Sequence, residues 1–324
     1  MPDRRYLIGF FLLGMASAAG AGSEDKGVDA WIAQMVQAVR TLPYEGTFVY
    51  LHDAQLESMK ITHAVNKDRK QERLISLNGA AREVIRNSDA VICILPDSKA
   101  VSVAKRHTEH IFPSILPVSV DELSDYYEFR LLGDARVADR SVKVIGVIPN
   151  DKFRYGYRLF LDAEHALPLQ TDTLNESGQL VARIMFTSLR VDAAIRDISP
   201  SVPDADSGYM WVHPAPAKEL PIAEHASWKF TKLPAGFKLK IREQRPSSSG
   251  AAEVEHFVLS DGLATLSVYV EQAGKEGELR AASKIGAVNA FGTQISGHQV
   301  TVVGEVPAKT VRHVAYSMMY LAGQ

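Results

Sequence analysis

The chain has 324 residues, 46% of them hydrophobic and 23% charged, with a formal net charge of −2. That length predicts one large domain or two ordinary ones, and the composition supplies enough apolar surface for a sizeable core. The charge balance argues against a nucleic-acid partner, because no basic excess exists to displace counterions from phosphates.

The first residues have the form of a targeting segment. Arg4 and Arg5 make a charged start, Tyr6 to Met15 a short apolar stretch, and Ala16-Ser17-Ala18 and Ala19-Gly20-Ala21 two small-residue cleavage sites. A signal peptide over residues 1–21 is expected, with the mature chain beginning at Ala19 or Gly22. The apolar run falls short of the ~20 residues needed to cross a bilayer, and no cysteine stands at the cleavage site to carry a lipid. The expected location is the periplasm. The single cysteine, Cys93, sits in an apolar run, where a thiol behaves as a small hydrophobe rather than a nucleophile.

After the signal, Asp29 can cap a helix that places Trp31, Ile32, Met35, Val36 and Val39 on one face. Short alternating segments follow at residues 44–52, 58–65, 71–77, 82–86, 91–95 and 100–104, separated by Asn, Asp, Gly and Lys turns. This spacing predicts an antiparallel up-and-down sheet. Ser119-Val120-Asp121-Glu122 has the form of a capping box opening a short helix. Strands resume at 127–132 and 141–147, then enter a three-strand meander between Arg154 and Val191. Its turns are Asp162-Ala163-Glu164-His165, with Pro168 just inside the returning strand, and Asn175-Glu176-Ser177-Gly178, where Gly178 can supply a positive φ. Both faces of the meander carry apolar groups, as expected if one packs on a core and the other lines a partly open groove.

Between Asp192 and Glu224, Pro200, Pro203, Pro214, Pro216 and Pro221 break the pattern around one aromatic island, Tyr209-Met210-Trp211. A linker over residues 193–223 therefore separates a domain over 22–192 from one over 224–324. In the second, strands are expected at 237–241, 254–259, 264–270, 287–293 and 299–303, the last two paired across Ser296-Gly297. Residues 275–283 are expected as loop or short helix. Val311, Val314, Ala315, Met318 and Met319 then mark an amphipathic helix that docks on this small sheet.

Catalytic and metal-binding motifs are missing: no phosphate loop, no G-x-S-x-G, no HExxH, no CxxC. His107-Thr108-Glu109-His110 runs toward Pro113 as a solvated turn, and Asp121 and Glu122 complement a helix dipole. The ten histidines are scattered. No nucleophile–base–orienter set can be named, so no enzyme, cofactor or metal is expected.

Particular segments do resemble a known family. Tyr44-Glu45-Gly46-Thr47-Phe48-Val49-Tyr50 looks like the opening strand of the MucB/RseB family. Glu72-Arg73-Leu74, Asn78-Gly79, Arg82-Glu83-Val84-Ile85-Arg86, Cys93 and Pro96 follow in that family's order. So do Arg154-Tyr155-Gly156-Tyr157, Leu161-Asp162, Leu167-Pro168-Leu169 and Asn175-Glu176-x-Gly178. The later matches are Leu233-Pro234-x-Gly236-Phe237, Ser260-Asp261-Gly262-Leu263-Ala264 and residues 300–307, ending Gly304-Glu305-Val306-Pro307. The resemblance implies an α+β chain: a large N-terminal lipoprotein-carrier-like domain, with a curved antiparallel sheet part-closed over helices, and a smaller C-terminal α+β domain. It further implies a negative regulator of the envelope-stress sigma factor. Such a protein binds the periplasmic part of a single-span anti-sigma factor and shields it from proteolysis until a lipid-like or lipopolysaccharide ligand releases it. A periplasmic lipid or lipoprotein carrier is the alternative, although a simple carrier needs no second domain. The sequence leaves self-association as a homo-oligomer open.

If the second face of the meander holds an acyl chain, Ile184 and Phe186 share a face by parity, and Phe160 is expected beside them. These three are the expected ligand-binding residues. None is assigned to the partner.

Overall fold

The computed structural model describes residues 27–66, 69–105, 120–195, 198, 203–204, 206–213, 217–222, 227–246, 253–274 and 281–321. The targeting segment with its cleavage sites, the His107–His110 stretch and Ser119 lie outside them. Among the described residues, no helix is long and apolar enough to cross a membrane.

Helix α1 (Val28–Thr41) buries Trp31, Ile32, Met35 and Val39 at the expected spacing. Each such side chain contributes roughly 1.5–3 kcal/mol when removed from water. Gly27, not Asp29, occupies the N-cap and makes no side-chain bond; Asp29 lies in the first turn, where its charge favours the helix dipole. An antiparallel run follows: β1 (Tyr44–His52), β2 (Gln55–Asn66), β3 (Arg69–Ser76), β4 (Glu83–Arg86), β5 (Ala90–Leu95) and β6 (Ala100–Lys105). Cys93 is half-buried on β5.

The expected capping-box helix does not form. Residues 121–126 are consecutive turns, with Leu123 N donating to Val120 O at 2.9 Å and Tyr126 N to Leu123 O at 2.8 Å. So short a segment cannot offset helix nucleation, and burial of Leu123 (1% exposed) holds it instead.

β7 (Tyr127–Val137) and β8 (Arg140–Pro149) lead into the meander β9 (Gly156–Asp162), β10 (Pro168–Leu174) and β11 (Leu180–Val191). β11 pairs back on β1, so the meander joins the first run in one sheet. Pro168 opens the returning strand and Gly178 takes φ +72°, as the turn chemistry required. In the proline-rich stretch, β12 (Met210–Val212) adds to β6 in parallel. The larger sheet then has twelve strands in the order β12-β6-β5-β4-β3-β2-β1-β11-β10-β9-β8-β7. Two residues of the aromatic island are packed: Tyr209 and Trp211 lie on Ile85, Ile94 and Val101, while Met210 is 63% exposed.

β13 (Lys218–Glu219) belongs to a second sheet, through β15. The rest of that part comprises β14 (Trp228–Phe230), β15 (Lys238–Pro246), β16 (Glu253–Ser260), β17 (Thr265–Gln272), β18 (Ala282–Ile285), β19 (Val288–Ile295), β20 (His298–Gly304), α2 (Ala308–Ser317) and β21 (Met318–Tyr320). Seven strands run in the order β13-β15-β16-β17-β20-β19-β18, with β14 and β21 as a separate pair. The β19–β20 hairpin turns at Ser296-Gly297 as expected. Val311, Val314 and Ala315 of α2 are buried in this second core. The helix ends at Ser317, earlier than the apolar stripe suggested. Ser317 O accepts from Thr231 N at 2.7 Å and Thr231 Oγ1 at 3.0 Å, and Met318 and Met319 pair with β14. Of the stretch expected as loop or short helix, residues 275–280 lie outside the described ones, and residues 282–283 belong to strand β18, paired with β19. The whole is an α+β chain of two domains with a large curved sheet in the first.

Candidate binding cleft between the two sheets

Register decides which side chains face the covered side of the large sheet. Tyr50 stands opposite Ile184, Ile184 opposite Thr171, Thr171 opposite Leu159 and Leu159 opposite Ile145. A second row runs His52, Ala182, Thr173, Tyr157 and Val147. Opposed residues share a face, so these rows form the inner surface that packs with α1.

Phe160 does not belong to it. It pairs with Gln170, and Gln170 with Met185, so its side chain lies on the outer face. The expected grouping of Phe160 with Ile184 and Phe186 is corrected: the strand offset through β10 sets Phe160 one residue out of phase. Phe186 does face inward but is 1% exposed, with its ring 5.8 Å from Phe48 and 6.2 Å from Tyr44. It also covers Gly46, where an added Cβ would lie 2.5 Å from Ser188 O and 2.9 Å from the Phe186 ring. Phe186 is a core residue in this geometry. Ile184 is half-buried on the inner face, opposite Tyr50.

The second domain covers one end of that inner face. Ala287, in the β18–β19 turn, is fully buried in the first domain's core. Its neighbour Gly286 takes φ +58° and lies against His52, where an added Cβ would be 3.0 Å from His52 Cβ, and it donates its N–H to Asp53. Asn289 Nδ2 donates to Tyr155 OH at 2.9 Å and to Val306 O at 2.8 Å. Thr310 Oγ1 donates to Phe153 O at 2.7 Å.

Arg154 anchors the junction. Its guanidinium donates to Asp261 Oδ2 at 2.8 Å and to Ala235 O, and lies 5.0–5.4 Å from the rings of Tyr126, Tyr127 and Phe237. Both charged side chains are 0% exposed. Asp261 also accepts from Tyr127 OH at 3.0 Å and from the N–H groups of Leu263 and Ala264 at 2.8 and 2.7 Å. Burial, then the Asp261 charge, drives the Tyr127 hydroxyl far above its ordinary pKa. A buried pair with so many satisfied partners is rigid.

Further along, the junction opens. Glu305 is exposed at the surface, its charge felt by Tyr50, Tyr155 and Tyr157, and Thr173 Oγ1 donates to it at 3.3 Å. Loss of bulk solvent pushes its carboxyl above the ordinary range, against the pull of Thr173. Tyr50 is pushed up to about 12 by burial first and by the Glu305 charge second. The cleft is thus aromatic, with one carboxylate whose charged form is disfavoured by burial.

Two clusters elsewhere have chemistry-bearing residues. Asp162, Glu164 and His165 could together hold a cation, but Arg140 already donates to Asp162 at 2.9 Å and to Glu164 at 2.8 Å. On the second sheet, the fold assembles a Ser-His-Glu row that the sequence did not show. His256 bonds Glu243 at 2.7 Å and Ser267 Oγ at 3.0 Å, and stacks on Tyr269 at 4.4 Å. Ser267 sits on β17, which is laddered on both sides to β16 and β20. Its neighbouring amides are spent in the sheet, so none is left to stabilise an oxyanion. The row ties three strands together.

The junction residues were within reach of the sequence. Arg154, Tyr155, Tyr157, Phe237, Asp261 and Glu305 all lie in the segments that carried the family resemblance, and strand alternation accounts for Tyr155 and Tyr157 but not for the charged three.

Comparisons with known proteins agree. Residues 27–204 match the family model described as the MucB/RseB N-terminal domain, and residues 223–319 the MucB/RseB C-terminal domain. The sigma factor AlgU regulatory protein MucB of Pseudomonas aeruginosa is 33% identical over 315 residues, covering 95% of each chain. The sigma-E factor regulatory protein RseB of Escherichia coli K12 is 28% identical over 302 residues, covering 91% of each. The crystal structure of MucB in complex with MucA(peri) superposes with a TM-score of 0.68 at 30% identity, over 92% of this chain and all of that one. With both domains matched in order, the chain belongs to the MucB/RseB family.

Proposed function

We propose that this chain is a periplasmic negative regulator of an envelope-stress sigma factor. It binds the periplasmic part of a membrane anti-sigma factor and shields it from proteolysis until a lipid-like ligand releases it. The observation that carries this reading is the match, across both domains, to MucB solved with MucA(peri). The geometry supports it: the second domain packs on one end of an apolar inner face, on which Ile184 is half-buried. The role is binding, not turnover. The test is titration of the purified mature protein with the anti-sigma periplasmic fragment, followed by challenge with lipid. A tight complex that lipid dissociates is the expected result. Lipid uptake with no complex would replace the regulator by a carrier.

A further inference from the structure

A pocket of about 550 Å³ lies on the outward side of α2, where the two domains meet. Lys309, Arg312, His313 and Tyr316 line it from α2, Lys232 from the loop after β14, and Phe153 from the first domain. The four α2 residues recur at i, i+3, i+4 and i+7 and so share one helix face. That face is opposite the buried stripe of Thr310, Val311, Val314 and Ala315. Arg312 is held over the Phe291 ring at 5.6 Å, and Tyr316 packs on the same ring at 5.5 Å. The His313 ring lies 5.0 Å from Phe153, and its Nε2 donates to Lys232 O at 3.1 Å. Glu176 pairs with Lys309. Among the described residues no carboxylate pairs with Lys232 or Arg312.

We propose that this pocket binds the phosphate head of an anionic amphiphile. Two cations with no carboxylate partner among the described residues, on an aromatic floor, match a compact anion, and a guanidinium matches phosphate geometry in particular. Apolar surface borders the head site: Tyr316, which lines the pocket, is 65% exposed, and the chain after α2 exposes Met319 and Leu321 at 37% and 40%. An extended acidic peptide would need a longer track of cations than a single pocket supplies. Because Phe153 comes from the first domain and the cations from the second, an occupant bridges the junction. Thr310, in the same turn as Lys309, already bonds Phe153 O there. This deepens the proposed function, on whose lipid-responsive reading it rests, by naming a head-group site outside the apolar cleft.

The test uses mature full-length protein and lysophosphatidic acid below its micelle concentration, beside the monoacylglycerol of the same chain and inorganic phosphate. The wild type should bind lysophosphatidic acid more tightly than either control, and less tightly as salt rises. The double variant Lys232→Ala/Arg312→Ala should lose at least about tenfold in lysophosphatidic acid affinity with monoacylglycerol binding unchanged. Lys232→Arg/Arg312→Lys, which keeps the charges, should recover most of it. Both positions are exposed, so the fold should survive. Unchanged lysophosphatidic acid affinity in the double variant overturns the site, and inorganic phosphate binding as tightly overturns the amphiphile. Loss of anti-sigma fragment affinity alone would assign the pocket to an acidic peptide and overturn the proposal too. A double variant that keeps wild-type lysophosphatidic acid affinity and is still released from the fragment sinks this site and spares the regulator. Binding through these residues without release leaves the site standing and sinks the regulator's lipid response.

Discussion

The two ends of the domain junction are built in opposite ways. At Arg154 and Asp261, charges are wholly buried, ringed by three aromatic side chains and bonded to main-chain groups of both flanking loops. At Glu305, a carboxylate is exposed to a cleft, with one side-chain hydroxyl bond at 3.3 Å and its charge disfavoured by its walls. The first arrangement has one good geometry and loses much if that changes. The second gives up little when something else fills the space. A junction pinned at one end and loose at the other can hold two domains together while still admitting a ligand.

The largest effect should come from the pinned end. Arg154→Ala leaves Asp261 buried and uncompensated, which should cost ~3–5 kcal/mol. Urea unfolding should show it, with the double variant Arg154→Met/Asp261→Leu recovering most of the loss because no buried charge remains. A cost under about 1 kcal/mol in the single variant would mean that water reaches the pair and that the two ends are alike.

Next comes the inner face leading to the open end. Phe186→Ala should cost ~3–5 kcal/mol, as for any core aromatic. Ile184→Ala at its half-buried position should cost clearly less. Ile184→Asp should still fold, as a groove position permits, while losing its response to lipid in the release assay. Failure of Ile184→Asp to fold would move the boundary between core and cleft past Ile184, since a packed site cannot hold an unpaired carboxylate.

How far the sequence could see follows the same division. β1 was legible to the residue, because Tyr44, Phe48 and His52 alternate with half-exposed positions between turn-forming neighbours. The meander was legible for the same reason. The facing of Phe160 was not, because both sides of β9 carry apolar groups, and a one-residue offset flips every side chain. The helix after residue 119 and the last turn of α2 were misread, because short local patterns lost to tertiary pairing: Leu123 to the core, Met318 and Met319 to β14. The pin was illegible by pattern alone. Arg154 and Asp261 are 107 residues apart, and nothing periodic connects them.

The smallest effect, and the sharpest test of the open end, is a pH dependence. Glu305 has its folded-state pKa raised above the ordinary 4.5, by desolvation within the cleft. In the window above 4.5 the folded protein therefore binds more protons than the unfolded chain, and stability falls as pH rises through it. Glu305→Gln removes that ionisation and keeps an acceptor for Thr173. The variant should unfold at about the wild-type temperature near pH 4 and at a higher one near neutral pH, with the gap opening between. Glu243 supplies the opposite case. Burial would raise its carboxyl too, but His256 and Arg245 outweigh burial and hold it below 4.5. Glu243→Gln should thus lose stability at neutral pH, and the loss should shrink as pH falls through the lowered pKa. If Glu305→Gln instead lowered the neutral-pH melting temperature, the Glu305 carboxylate would be a stabilising partner across the junction. That end would then be a second pin rather than an opening.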